Sequence, residues 1–228
     1  MNNATISADI ISFTTLSDSQ RQDVAMQINS LLKKLTTNYH DQVFYGRLIQ
    51  GDYIECALDV PTYILRIALL LKTFVKSIDL ETGKTANREL QYFFQHGIRL
   101  AIAVAPLSKL DLEKGIIDGE AIFMSGREIK KHSSAEKQKK IIKQSMFFLS
   151  HDERLQAEMD TIFSLLDTIL SGCSPKQSKV LYYKLLGLTE KEISKELHRD
   201  QSTINQHSTA AGWISLEKAV HHFERVIS

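Results

Sequence analysis

The 228-residue sequence predicts an α+β protein, a ferredoxin-like sheet domain followed by an all-α helix-turn-helix domain. Three observations carry this reading. Short β-branched runs alternate with helical periodicities up to about residue 150 in the order β-α-β-β-α-β with additions. Helical periodicity alone continues from there. Near the end, two capping signals stand a few residues apart, Thr189 and Asp200, and each precedes a short helix.

The elements follow in order. Ala4–Phe13 is apolar and β-branched and reads as a strand; Ser17–Thr37 places Val24, Ile28, Leu31, Leu32 and Leu35 at helical spacing. Val43–Ile49 and Tyr53–Leu58 are strand-like runs around Gln50-Gly51-Asp52, residues that suit a hairpin. Pro61 opens an apolar helix to about Ser77, Ala86–Gln95 is a short helix, and Gly97–Ala105 is a buried strand. Gly119–Lys131 is a helix, the basic run Lys130–Lys143 a solvated loop face, and Gln144–Leu149 the last strand. Asp152–Leu170 is an amphipathic connector, with an apolar face wide enough for the sheet domain or for a second copy of the chain. Gly172-Cys173-Ser174-Pro175 supplies a glycine stop and a proline start. The expected division is therefore a sheet domain over 1–150, a connector over 151–173 and a helical domain over 174–228.

Within the helical domain, Pro175–Leu186 carries Val180, Leu181, Leu185 and Leu186 on one stripe. Thr189 and Glu192 have the spacing of a capping box, Ile193 and Leu197 lie one turn apart, and His198-Arg199 interrupts before Asp200 starts the next helix around Ile204. That second helix opens with Gln201, Ser202, Thr203, Asn205 and Gln206, side chains that both donate and accept hydrogen bonds, as base edges in a major groove require. Lys191, Lys195 and Arg199 stand where backbone phosphates would be neutralised. Double-stranded DNA is the expected partner, and an ordinary αα-hairpin with a polar outer face is the alternative. Leu216–Ile227 reads as a closing helix, part of the core or of a dimer seam.

Composition bounds the rest. With 43% apolar residues the chain can build real cores, and a net charge of +1 gives no global field that attracts nucleic acid. Cys56 and Cys173 lie far apart in apolar surroundings and read as buried thiols. The longest apolar stretch, Tyr63–Val75, contains Arg66 and Lys72 and is too short to span a bilayer, so the expectation is a soluble cytoplasmic protein without membrane contact.

Two carboxylates stand out on the sheet domain, Asp9 in the first strand and Asp52 at the hairpin. Such a pair can hold Mg²⁺ on nucleotide phosphates, or can serve only turns and local amides.

Two resemblances extend these readings. Ser174–Ile204 resembles the DNA-binding module of bacterial regulators of the sigma-region-four and response-regulator type. Asp9-Ile10-Ile11-Ser12-Phe13-Thr14, Gly51-Asp52 and Gly119–Arg127 resemble three motifs of class III nucleotidyl cyclases, in that order. That likeness implies a cyclase-like fold, with Asp9 and Asp52 on Mg or Mn and Arg127 on nucleotide phosphate. The sequence also departs from the cyclase pattern: Phe123 stands where an asparagine orients the ribose, and Leu48 where a lysine reads the base, with Arg47 beside it on the opposite face. The combination is similar to the small bacterial SatD-like family. It implies a dimeric transcription regulator with a degenerate cyclase-like sensor or dimerisation domain and no catalytic residue assigned. The alternative is a metal-dependent nucleotide-processing or nucleotide-binding enzyme.

Overall fold

A computed structural model describes residues 3–80, 88–139 and 142–228. Strand β1 (Asn3–Ile10) leads through helix α1 (Asp18–Asn38) to the hairpin of β2 (Tyr45–Ile49) and β3 (Tyr53–Leu58). Helices α2 (Ile64–Lys76) and α3 (Arg88–His96) precede β4 (Ile98–Ala105). The two-stranded hairpin of β5 (Leu107–Asp111) and β6 (Ile116–Gly119) leads into α4 (Glu120–Lys139) and β7 (Met146–Ser150). Only helices follow: α5 (Glu153–Gly172), α6 (Pro175–Leu185), α7 (Glu190–Glu196), α8 (Gln201–Ala210) and α9 (Trp213–Ile227).

The main sheet runs β2-β3-β1-β4-β7. Its first four members are mutually antiparallel, the order of the ferredoxin-like arrangement, and β7 adds a parallel strand beside β4. Alternation along β1 explains the two layers. Ala4, Ile6, Ala8 and Ile10 point into the large core shared with α1 and α2, whereas Thr5, Ser7 and Asp9 point to the opposite face. Helix α4 covers that opposite face. Ser125 of α4 shares hydrogen bonds with Thr5 Oγ1 at 3.1 Å and Ser7 Oγ at 2.9 Å, while Ala121 packs on Ala103 and Ala105 and Ile129 packs on Ala101.

The helical end of the chain is not a tethered bead. Phe148 of β7, Phe163 of α5 and Phe223 of α9 form one ring cluster with centroids 5.4–6.5 Å apart. Phe74 of α2 meets Tyr182 of α6 at 5.3 Å. Arg66 of α2 pairs with Glu224 of α9 at 2.8 Å. A separate small core, Val180, Ile193 and Ile204, holds α6, α7 and α8 together.

A polar cluster sits at the seam. The Lys72 ammonium, 1% exposed, donates to the His96 and Ile98 carbonyls and to Ser145 Oγ at 2.8–3.1 Å, with Asp167 at 3.6 Å. Asp167 accepts from the Ser145 amide and hydroxyl, each at 2.6 Å, and Lys76 donates to the Leu170 carbonyl near the end of α5. Burial pushes both ammonium groups down to about 8 and the His96 imidazole, beside Lys72, down to about 4.

Several boundaries differ from the sequence expectation. Residue Val43 is left-handed (φ 54°) after a 3-10 turn, so β2 starts only at Tyr45. Ser12 is also left-handed and Phe13 lies in a 3-10 turn, so β1 stops at Ile10. The hairpin of β5 and β6 was not expected. The basic run expected as a loop from Lys130 is instead helical through Lys139, and residues 140 and 141 lie outside the described residues, as does Ala86 of the expected short helix. Cys56 and Cys173 are buried free thiols. Among the described residues no helix is long and apolar enough to cross a membrane.

Candidate functional site

Thr189 and Glu192 close the capping box at the start of α7: Thr189 N donates to Glu192 Oε2 at 2.7 Å and Glu192 N donates to Thr189 Oγ1 at 3.3 Å. The Thr189 amide and hydroxyl, both donating to the Glu192 carboxylate, hold it below its ordinary range. His198 then takes a left-handed conformation (φ 50°), which turns the chain sharply into α8. Asp200 occupies the cap position there, but its carboxylate makes no cap hydrogen bond.

The apolar side of α8 is Ile204 and Ala211, together with buried Ser208, all turned inward. Gln201, Ser202, Asn205 and Gln206 are exposed and Thr203 is half-buried, so the predicted polar row projects from the protein. Lys191, Lys195 and Arg199 are exposed beside it. Asn205 is not idle: its amide approaches Glu190 at 3.3 Å, and Glu190 also meets Lys184 of α6 at 3.5 Å and accepts from Ser208. Glu190 thus ties α6, α7 and α8 into one unit. Next to the row, a groove of about 810 Å³ opens between α6 and the α7–α8 turn, with Lys176 and Lys179 on one wall and Lys195 and Arg199 on the other. Lys176 and Lys179 belong to no motif visible in the sequence.

On the sheet domain, Asp9 and Asp52 are brought together. Ile10 N donates to the Asp52 carbonyl at 2.9 Å, which ties the β2–β3 turn to the end of β1, and the Asp52 charge acts on Asp9. A third residue, missed in the sequence, decides the chemistry. Arg99 lies directly across from Asp9 on β4, and its Nη1 donates to Asp9 Oδ2 at 2.9 Å, with the two side chains 5% and 20% exposed. Burial raises the Asp9 carboxyl above its ordinary value, against the opposing pull of Arg99 and of a hydrogen bond from Ser133. Burial likewise lowers Arg99.

Arg127 belongs to α4. It is exposed on α4, on the side away from buried Ser125 and Ile129, and lies six residues, about 9 Å of helix, before Ser133. Phe123, one turn earlier, is 54% exposed on the same side. Leu48 packs on the main core, and Arg47 points to the other face, where it holds Glu55 at 2.6 Å and the Gly115 carbonyl of the β5–β6 turn.

As the side chains stand, Asp9 is paired with a guanidinium rather than with a cation site. A guanidinium already neutralises Asp9, so a cation there would have to expel it or sit against like charge.

No family model matches the chain, and no curated protein matches it. Among solved structures, a bacterial light-regulated adenylyl cyclase is similar at a TM-score of 0.40 and 11% identity, over 64% of this chain and 43% of that one. The chain thus spans less than half the length of that protein.

Proposed function

We propose that the protein is a DNA-binding transcription regulator that reads operator DNA with α8 and acts as a homodimer. The observation that supports it most is the outward polar row Gln201, Ser202, Asn205 and Gln206, borne on a helix whose opposite side is sealed by Ile204 and flanked by Lys191, Lys195 and Arg199. In this reading the row makes base contacts in a major groove, and the cations release counterions from the phosphates and set register. The sheet domain, whose motifs resemble those of class III nucleotidyl cyclases, serves as a sensor or dimerisation body. A nucleotide is its candidate ligand, and the ligand would act by binding the DNA-competent and incompetent states with different affinity.

The test is binding of the purified protein to labelled duplex from its own upstream region across a salt series. Salt-sensitive binding is expected, and Gln201→Ala with Asn205→Ala should lower the preference for that duplex over random sequence more than it lowers affinity for the random one. Loss of both in equal measure would remove these residues from base readout.

The metal-dependent nucleotide enzyme has less support, because Arg99 is already paired with Asp9.

A further inference from the structure

We infer that the groove between α6 and the α7–α8 turn is a second phosphate-binding surface, in which Lys176 and Lys179 of α6 grip the sugar-phosphate backbone beside the base-reading row. This rests on the proposed DNA-binding reading and extends it to an element outside the helix pair.

The groove is lined by cations from three separate places: Lys176 and Lys179 on α6, Lys195 on α7, and Arg199 in the turn. It runs along the flank of α8 formed by Thr203 and His207, the flank that adjoins the outward row. At 100° per residue, Thr203 and His207 fall between the inward side of α8 (Ile204, Ser208) and Gln206 on its outward side. A duplex that presents its major groove to Ser202 and Gln206 would therefore bring one strand's backbone over this trough.

Lys179 is built for the task rather than free on the surface. Its side chain is half-buried, with the ammonium 5.8 Å from the Phe74 ring and 5.9 Å from the Tyr183 ring. Aromatic faces hold a cation in place while leaving its hydrogen-bond donors unspent. Burial lowers its pKa, and the charge of Glu196 nearby opposes that shift. Glu196 also accepts from the Tyr183 hydroxyl at 3.4 Å, which fixes one of the two rings that cradle Lys179. Phe74 belongs to α2, so this anchor is set by the sheet domain as well as by the helical end. An exposed lysine loses side-chain entropy when it binds a phosphate, and a cradled one loses less.

The experiment is fluorescence anisotropy of the full-length protein on the upstream duplex and on a random duplex of equal length, across a salt series. Lys176→Gln with Lys179→Gln should lower the slope of log affinity against log salt by about 2 and weaken binding roughly 30-fold at 0.15 M salt, equally on both duplexes. Lys179→Arg should keep the slope, and Lys218→Gln, on α9 away from the groove, should leave it unchanged. An unchanged slope in the double variant, with the slope reduced by Lys195→Gln and Arg199→Gln, would overturn the groove while leaving DNA binding intact. Failure of the wild-type protein to bind either duplex would overturn both.

Discussion

Replacing Arg99 by methionine tests whether the guanidinium is the resident counter-ion of Asp9. The pair is a single charge-assisted bond of 2.9 Å in a site where Arg99 is 5% exposed and Asp9 20%. One Asp9 oxygen is already buried without a hydrogen-bond partner. Breaking a buried pair from one side typically costs 3–5 kcal/mol, because the remaining charge stays desolvated. Here Asp9 can take up a proton, so the expected loss is about 3 kcal/mol, at the lower end of that range. Asp9→Asn with Arg99→Met removes both charges and should recover most of it, giving a coupling of about 2–3 kcal/mol. Urea unfolding followed by far-UV circular dichroism measures all four corners of the cycle. The same samples test the metal: a ligand at a hundred times its dissociation constant would add about 2.7 kcal/mol. Wild type should gain nothing from millimolar Mn²⁺. A gain in wild type that disappears in Asp9→Asn, or an Arg99→Met loss below about 1 kcal/mol, would refute the argument that the guanidinium holds the site.

Other consequences follow from the buried polar groups and one glycine. The His96 imidazole is pushed down to about 4, first by burial and then by Lys72. Stability from that shift is present above the ordinary value of 6.5 and is lost as pH falls through 4; a pH series of urea midpoints should show a decline of up to about 3 kcal/mol, absent in His96→Phe. Lys72 and Lys76 have the same sign at higher pH, so the seam should gain stability between about 8 and 10.5. Asp167→Ala should destabilise more than Lys72→Met, by about 3–5 kcal/mol, since it orphans the Ser145 amide and leaves an ammonium uncompensated, whereas Met fills the lysine's path. Gly119→Ala should lose about 2–5 kcal/mol or fail to fold, because φ is 129° and an added Cβ would stand 2.4 Å from the Ser108 amide nitrogen; circular dichroism on heating reads it.

What the sequence revealed and what it hid follow from the range of the interactions. Local signals were readable: the Thr189–Glu192 box, the β2–β3 turn and the helical stripes of α1 and α5 each depend on residues within a turn or two of one another. The proximity of Asp9 and Asp52 was legible through the expected topology. Arg99 was hidden because its meaning comes from register: in Ile98–Ala105 it is one charge in an apolar strand, and only the pairing of β1 with β4 sets it opposite Asp9. A lone arginine in such a strand was still a visible oddity, as were Lys72 and Lys76 one turn apart inside the apolar helix α2. The β5–β6 hairpin escaped because no residue of Leu107–Asp111 is buried and the strand carries no apolar alternation. Lys176 and Lys179 carry no local signal in the sequence, since the groove forms only where α6 crosses the α7–α8 turn.

If the proposed regulator function holds, the seam between the sheet and the helices bears on how it would work. If the reading helices hung from a flexible linker, a ligand on the sheet domain could reach them only through tether length or dimer contacts. Instead the ring cluster of Phe148, Phe163 and Phe223 is one core, and Phe74 touches both Tyr182 and the ammonium of Lys179. A close-packed core deforms in steps, so a shift of α2 or α5 against the sheet would have to carry α6 with it. Lys72, bonded to carbonyls flanking Gly97 and close to Asp167 of α5, stands where such a shift would register, and the Asp9–Arg99 pair begins one residue beyond, on the same strand. A ligand that loosened Arg99 from Asp9 would thus act at the end of β4 that also anchors α2. The coupling predicts that Arg99→Met changes DNA affinity, and not only stability, under conditions where the variant is fully folded. Unchanged affinity in the folded variant would confine Arg99 to holding the sheet together.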